Sequence, residues 1–280
     1  MKRGIIFDMD GTLLNSDKQI SPETLNAIKR AGDAGKTVIL CTGRNLTELN
    51  AFTEIIPGLR YLDCVSGACV YDLKEKKTLY SQALDPGIVK KLMEFALEEE
   101  AMIHVLSEHS IVQRDQQSHM ADFHMGIYQT MFDKITDKLE NIYNSFCQEP
   151  FPVLKLNLYH KDEYSRARTV ERIKAAGLET ALALAESTSL ECSAKGIDKG
   201  VGLKKLCEHL GLPLEQTIAV GDADNDTMAL KTAGLSIAMG NATEPVKALA
   251  DVIVADCDHN GCAEAIDKYL LAENRPQKPV

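Results

Sequence analysis

The chain has 280 residues, 45% of them hydrophobic and 26% charged, with a formal net charge of −10. That length accommodates one large domain or two moderate ones. The charge argues against nucleic acid or an anionic membrane as the main partner. No apolar run approaches the ~18 residues of a membrane span. The apolar stretch after Met1-Lys2-Arg3 stops at Asp8, too soon for a signal peptide. The cysteines, at 41, 64, 69, 147, 192, 207, 257 and 262, contain no C-x-x-C pair. Cys64/Cys69 and Cys257/Cys262 lack the matching His or Cys pair of a zinc site. They read as reduced thiols of a cytoplasmic protein.

Short apolar runs, each followed by a helical pattern, predict buried parallel strands at Gly4–Phe7, Thr37–Cys41, Tyr61–Val65, Thr217–Val220, Leu235–Met239 and Asp251–Val254. The first helix opens on Ser21-Pro22-Glu23, an N-cap followed by proline at the first helical position. Its buried face is Leu25, Ile28 and Ala31. Strands alternating with helices define an α/β class with a parallel sheet. Residues 84 to about 190 read differently: alternating runs such as "IHVLSEHSIVQR" and "VLKLNLYH" sit among helical patterns at 86–100, 133–147 and 162–176. This predicts a separate α+β module inserted into the first, with "CQEPFPV" (147–153) as a loop inside it. The tail 272–280 is expected to fray.

Three predicted strands end in a polar residue: Asp8, Thr42 and Asp222. In open α/β sheets, ligands bind outside the carboxyl ends of the strands, so these distant residues are expected to meet. In Asp8-Met9-Asp10 an extended backbone turns both carboxylates the same way, and Gly11 permits a tight turn. A divalent cation would relieve their repulsion, and Mg²⁺ favours a few carboxylates plus water and substrate oxygens. An isolated D-x-D is more often an Asx turn; Asp222 at the same sheet edge shifts the balance toward a site.

"GDADND" (221–226) adds Asp224 and Asp226. An EF-hand loop shares the D-x-D-x-D spacing, but Thr227 stands where glycine is required and Ala233 where glutamate is. An acidic helix start accounts for Asp224 but not for a cluster that follows a buried strand through Gly221. In "GIDKGVGLKKLCEHLG", Asp198 is placed to cap a helix with an apolar face at Val201, Leu203, Leu206 and Leu210. Lys199 in its first turn opposes the helix dipole, a local conflict of the kind found at functional sites.

"DMDGTLL", "CTGR", the lysine of "GIDKG" and "GDADND" resemble, in order, the four motifs of the haloacid dehalogenase superfamily of aspartate-nucleophile phosphotransferases. "ECSAKGIDKGVGLKKLCEHLG" and "AMGNATEPVKALADVIVA" extend the resemblance to its Cof-type, sugar-phosphatase-like branch. The resemblance covers residues 1–72 and about 189–270; over the insert only position and length match. It implies a Rossmann-like parallel sheet core with helices on both faces, formed by 1–83 and 190–280, and an inserted α/β cap at 84–189. The interval from Asp10 to Ser21 is too short for a cap, whereas that from Thr42 to Lys199 holds a core strand and a cap.

The same resemblance implies that Asp8 attacks phosphorus to form an aspartyl phosphate, while Asp10 serves as general acid and then base. The neighbouring Asp8 would push the pKa of Asp10 upward. Mg²⁺ would be held by Asp8, the Asp10 carbonyl and Asp222, with Asp226 in support. Thr42 and Gly43 would bind phosphoryl oxygens, and Lys199 would offset charge on the phosphoryl group and on Asp8. Asn225 and Asn241 match positions near the phosphate, and Arg44 is assigned to substrate or cap, or to a surface ion pair. Relatives carry Asn-Gly-Ala after the third strand where this chain has Ser66-Gly67-Ala68; serine has the shorter reach. Specificity would come from cap residues, with His104, Glu108, Arg114, His119, His124, Lys155 and Asn157 as candidates; His119, Asp122 and His124 read as a polar loop before a metal site.

The expected activity is hydrolysis of small phosphorylated metabolites such as sugar phosphates, pyridoxal phosphate or a flavin-related phosphate, by a monomer or small homo-oligomer. The alternatives are a hexose-phosphate mutase using the same intermediate and a non-catalytic metabolite- or Mg²⁺-binding regulator. The complete set Asp8, Asp10, Thr42, Lys199, Asp222 and Asp226 weighs against decay.

Overall fold

The computed structural model describes residues 1–185 and 187–272; the tail expected to fray lies, from residue 273 on, outside them. The chain forms two compact units. One comprises Met1–Gly43, Ala51–Tyr80 and the residues from Asp198 on; the other comprises Arg44–Asn50 and Ser81–Ile197.

The first unit is built on an eight-stranded sheet. Its spatial order is Val252–Ile253, Ser236–Ala238, Thr217–Gly221, Gly4–Phe7, Thr37–Cys41, Tyr61–Cys64, Cys69–Asp72 and Lys77–Ser81. The pairings from Val252–Ile253 through Tyr61–Cys64 are parallel, and Cys69–Asp72 returns antiparallel. Gly4–Phe7 lies at the centre, and all four of its residues are buried, as a strand covered on both faces must be. Ile6, Ile39, Cys41 and Val70 pack with Leu203, Leu206 and Cys207 of the Lys199–Leu210 helix. By alternation Ile5 and Phe7 face the other way. The Pro22–Asp33 helix packs with Gly261–Ala265. It is capped as expected: the Ser21 hydroxyl accepts from the Thr24 amide and Pro22 is its first residue. Ile28 and Ala31 are buried together with Ala27, while Leu25, expected on that face, is half-buried.

The six expected strands are all present: Gly4–Phe7 and Thr37–Cys41 keep their expected bounds, and the other four differ by one residue at one or both ends. The informative shift is at Val65. It leaves the third strand with φ +55, and Ser66 follows at φ +56 and Gly67 at φ +94. Three successive left-handed residues end the strand and turn the chain back.

The second unit has a six-stranded sheet in the order Thr180–Ala185, Ser189–Ala194, Lys155–Tyr159, Met102–Leu106, Ser110–Gln113 and Thr136–Leu139. All pairings are antiparallel except the last. One face carries Ile103, Val105, Leu156 and Leu158 against Leu92 and Met93 of the Pro86–Glu98 helix and Ile173 of the Glu163–Ala175 helix. The single helix expected at 133–147 is corrected to three elements: Gln129–Ile135, the strand Thr136–Leu139, and Ile142–Gln148. Thr136 pairs with Ser110 and interrupts the first helix. Asn141 then caps the next, its side chain accepting from the Asn144 amide.

Candidate active site

The parallel register brings the polar strand ends together. Phe7 lies opposite Leu40 on one side and Val220 on the other, so Asp8, Thr42 and Asp222 leave the sheet at neighbouring points of its carboxyl edge. The Asp8 amide donates to the Val220 carbonyl (3.0 Å), and the Thr42 amide to the Asp63 carbonyl (2.8 Å). Asp8 and Thr42 are buried. Gly11, with φ +81, turns the chain just after Asp10, and a Cβ there would overlap the Asp222 carboxylate. Glycine is therefore required both for the turn and for the close approach.

Lys199 is the centre of the charge arrangement. Its Nζ donates to Asp8 Oδ1 at 2.5 Å and to Asp226 Oδ1 at 2.6 Å, with 1% of the side chain exposed. Asp226 uses its other oxygen to accept from the Asp222 (2.9 Å) and Ala223 (3.1 Å) amides, closing the acidic turn. Thr12 Oγ1 donates to Asp222 Oδ1 at 2.7 Å. Oxygens of Asp8, Asp222 and Asp226 all lie within 4.8 Å of one another. Burial, then Asp226, push the Asp8 carboxyl up to about 7 against the pull of Lys199. Burial first also pushes Asp222 up to about 6, opposed by the Thr12 hydrogen bond and raised further by Asp226. Desolvation opposes the charge on Lys199, but Asp226 and Asp8 raise its pKa well above the ordinary value. Three carboxyls thus share one ammonium, and the excess negative charge is what a divalent cation would neutralise.

The Asp10 carboxylate accepts from Lys18 at 3.1 Å, and its side chain is 42% exposed. The charged neighbours that shift Asp8 are Asp226, Lys199 and Asp222. Asn225 is exposed at the acidic turn. Asn241 bridges two loops: its Nδ2 donates to the Gly11 carbonyl (2.8 Å) and its Oδ1 accepts from the Cys257 amide (3.0 Å). Its amide group is thereby engaged in holding the turn after Asp10. Arg44 begins the segment that belongs to the second unit.

Sequence reasoning missed Thr12, Asp63 and the glycines behind Lys199. Thr12 stands in the first motif, so its position was a usable signal. Asp63 is fully buried in the third strand; its Oδ2 accepts from Cys41 Sγ at 3.0 Å, and its Oδ1 has no partner. Burial pushes it up to about 7. A Cβ at Gly202 would overlap that carboxyl, and one at Gly67 would overlap the Asp198 carbonyl. These two glycines let the helix that begins at Lys199 sit directly on the third strand and its turn. Asp198 caps that helix by accepting from the Val201 amide at 3.0 Å.

The cap candidates separate within the second unit. His104 Nε2 lies 2.7 Å from Ser110 Oγ, and Ser110 Oγ donates to Glu48 Oε1 at 3.2 Å. Burial lowers the His104 pKa to about 3, so the ring is neutral. Asn157 Nδ2 donates to Tyr159 Oη at 3.3 Å, while its Oδ1 is buried without a partner. Buried Lys155 lies 3.1 Å from Glu191. His119 and His124 bond main-chain carbonyls of Asp115 and Lys161, Arg114 pairs with Glu140, and Glu108 is exposed.

A family model described as haloacid dehalogenase-like hydrolase matches residues 5–266. The chain belongs to that family, in its Cof-type branch, and is a phosphoric monoester hydrolase. It is 29% identical to the 5-amino-6-(5-phospho-D-ribitylamino)uracil phosphatase YcsE of Bacillus subtilis over 95% of each chain. It is 27% identical to the pyridoxal phosphate phosphatase YbhA of Escherichia coli, covering 96% of this chain and 99% of the relative. A haloacid dehalogenase-like hydrolase from Bacteroides thetaiotaomicron superposes with a TM-score of 0.83 at 26% identity, over 96% of this chain and 99% of the other. No helix among the described residues is long and apolar enough to cross a membrane.

Proposed function

We propose that this enzyme is a Mg²⁺-dependent phosphatase of small phosphorylated metabolites that works through an aspartyl phosphate on Asp8. The observation that carries the reading is the buried Lys199 ammonium held between Asp8 and Asp226, with Asp222 beside them, at the carboxyl edge of a parallel sheet. The relatives' activities, on a ribityl phosphate and on pyridoxal phosphate, support a small phosphomonoester as substrate.

The donor set fits a hard divalent cation: three clustered carboxyls, two of them pushed toward neutrality by burial first and by Asp226 beside them. Asp8, the Asp10 carbonyl and Asp222 would hold Mg²⁺, with Asp226 behind them. When bound, it supplies charge neutralisation and a template for phosphoryl oxygens. Asp8 attacks phosphorus as the ester P–O bond breaks, and the leaving oxygen takes a proton from Asp10. Asp10 then removes a proton from water, whose oxygen attacks phosphorus. The bond to Asp8 breaks and inorganic phosphate leaves. Asp10 is exposed enough to exchange protons with solvent. Lys199 offsets the phosphoryl charge, and the Thr42 side chain with the Gly43 amide hold phosphoryl oxygens. Substrate choice is assigned to the second unit, as an inserted cap. All eight cysteines are free, in keeping with a cytoplasmic setting.

The test is inorganic phosphate release from a panel of phosphate esters, with Mg²⁺ and with EDTA, for the wild type and Asp8→Asn. Turnover that needs Mg²⁺ and disappears in Asp8→Asn is expected. Full activity in Asp8→Asn would overturn the mechanism.

A further inference from the structure

The sheet of the first unit has a second edge. At the amino ends of the strands whose carboxyl ends carry Asp8 and Thr42, Arg3, Lys36, Arg60, Tyr61, Leu210 and Leu212 line a cleft of about 320 Å³. No acidic side chain lines it, in a chain of net charge −10. Arg3 precedes the central strand, Lys36 precedes the second and Arg60 the third, so the parallel register itself gathers three cations.

Their bonding leaves donors to spare. The Arg3 guanidinium is exposed and has no hydrogen-bond partner among the described residues. The Lys36 ammonium donates once, to the Lys2 carbonyl at 2.6 Å, and has two further protons to give. Arg60 spends Nε and Nη2 on Asp72, at 2.7–3.1 Å, leaving Nη1. Asp72, with Glu75 at 3.8 Å from Arg60, neutralises that one guanidinium only. Arg60 also lies over the Tyr61 ring, 4.9 Å from its centroid, and this contact fixes the fork's orientation. Gly35 and Gly58 have no neighbouring atom within 4 Å of where a Cβ would stand, so the rim is open. Leu210, Leu212 and the Tyr61 ring give the cleft an apolar wall.

We propose that this cleft binds a small phosphate-bearing metabolite, distinct from the substrate at the catalytic edge, with its phosphate on Arg3 and Lys36 and its organic body along Leu210, Leu212 and Tyr61. A fork and an ammonium that both lack acidic partners among the described residues suit a dianion with several oxygens better than a single carboxylate. Leu210 is the last residue of the helix whose first residue is Lys199, so the occupant touches the far end of the element that delivers the catalytic-edge ammonium. The inference does not depend on the aspartyl-phosphate mechanism.

The test is an amide NMR titration of the full chain in EDTA, with inorganic pyrophosphate as the probe and malonate as a carboxylate control. Saturable shifts at Gly35 and Gly58 are expected with pyrophosphate. The double variant Arg3→Ala/Lys36→Ala should weaken them at least tenfold, while shifts at Gly11 and Gly43 report the catalytic edge separately. Shifts confined to Gly11 and Gly43, or an unchanged titration in the double variant, would overturn the proposal. Malonate binding as tightly as pyrophosphate would overturn the assignment to phosphate.

Discussion

Lys199 Nζ lies 2.5 Å from Asp8 Oδ1, with 1% and 9% of the two side chains exposed. Removing one partner of a buried pair strands the other charge, which typically costs about 3–5 kcal/mol. In Lys199→Met, Asp8 and Asp226 both lose their ammonium. Phosphate release should fall at least ~10³-fold. Added Mg²⁺ should raise the melting temperature of the variant more than that of the wild type, because the cation then supplies the only positive charge among the three carboxyls. Equal Mg²⁺ shifts in the two proteins would count against a shared site.

Gly67 and Gly202 provide the seat for the helix that begins at Lys199. Gly67→Ala meets the Asp198 carbonyl at a residue with φ +94. Positive φ and backbone overlap together should cost about 3 kcal/mol or more. Urea denaturation reads that loss. Under conditions where the variant remains folded, its kcat should still drop at least ~10-fold, since the overlap displaces the cap of the lysine's helix.

Asp63 gives a pH prediction. Burial raises its folded pKa from 3.8 to about 7, so in that window the folded state holds a proton that the unfolded state has released. Its contribution to stability is fully present below about pH 4 and is lost as pH rises through about 7. Asp63→Asn cannot ionise. Relative to this variant, the wild type should lose stability by on the order of a few kcal/mol between pH 4 and pH 8. Parallel urea midpoints for the two proteins across that range would refute the assignment.

Ser66 occupies a left-handed conformation, φ 56 and ψ 38, which asparagine adopts more readily than serine. Ser66→Asn should therefore stabilise the protein, by up to about 1 kcal/mol. Thermal unfolding of the variant checks the sign. The substitution also tests whether serine was tolerated here at a cost to stability.

Asn241 ties the Gly11 carbonyl to the Cys257 amide. Asn241→Ala removes both bonds, worth about 1–2 kcal/mol together at an exposed site. If the residue positions the turn after Asp10, kcat should fall several-fold with little change in KM. A rise in KM alone would instead indicate direct substrate contact.

The sequence by itself determined the parallel strand ends and the residues that gather there. An apolar run ending in Asp8, another ending before Thr42 and a third leading through Gly221 to Asp222 can only converge if the strands are parallel neighbours. The Ser21-Pro22 cap and the Asp198 cap were local signals, and local chemistry was enough to place both helices. Tertiary structure decided what local pattern does not encode. Lys199 was already expected beside Asp8, but its second contact, with Asp226, and the turn of Asp10 toward Lys18 are set only when the strands and the helix are packed. The strand at Thr136–Leu139 replaced part of an expected helix because its pairing partner, Ser110–Gln113, lies far back in the chain. The buried Asp63, the glycine seat under Lys199 and the cationic cleft at the opposite sheet edge share the same reason. Each is made of residues unremarkable in their own segments, and burial and close approach arise only when the strands and the helix are packed together.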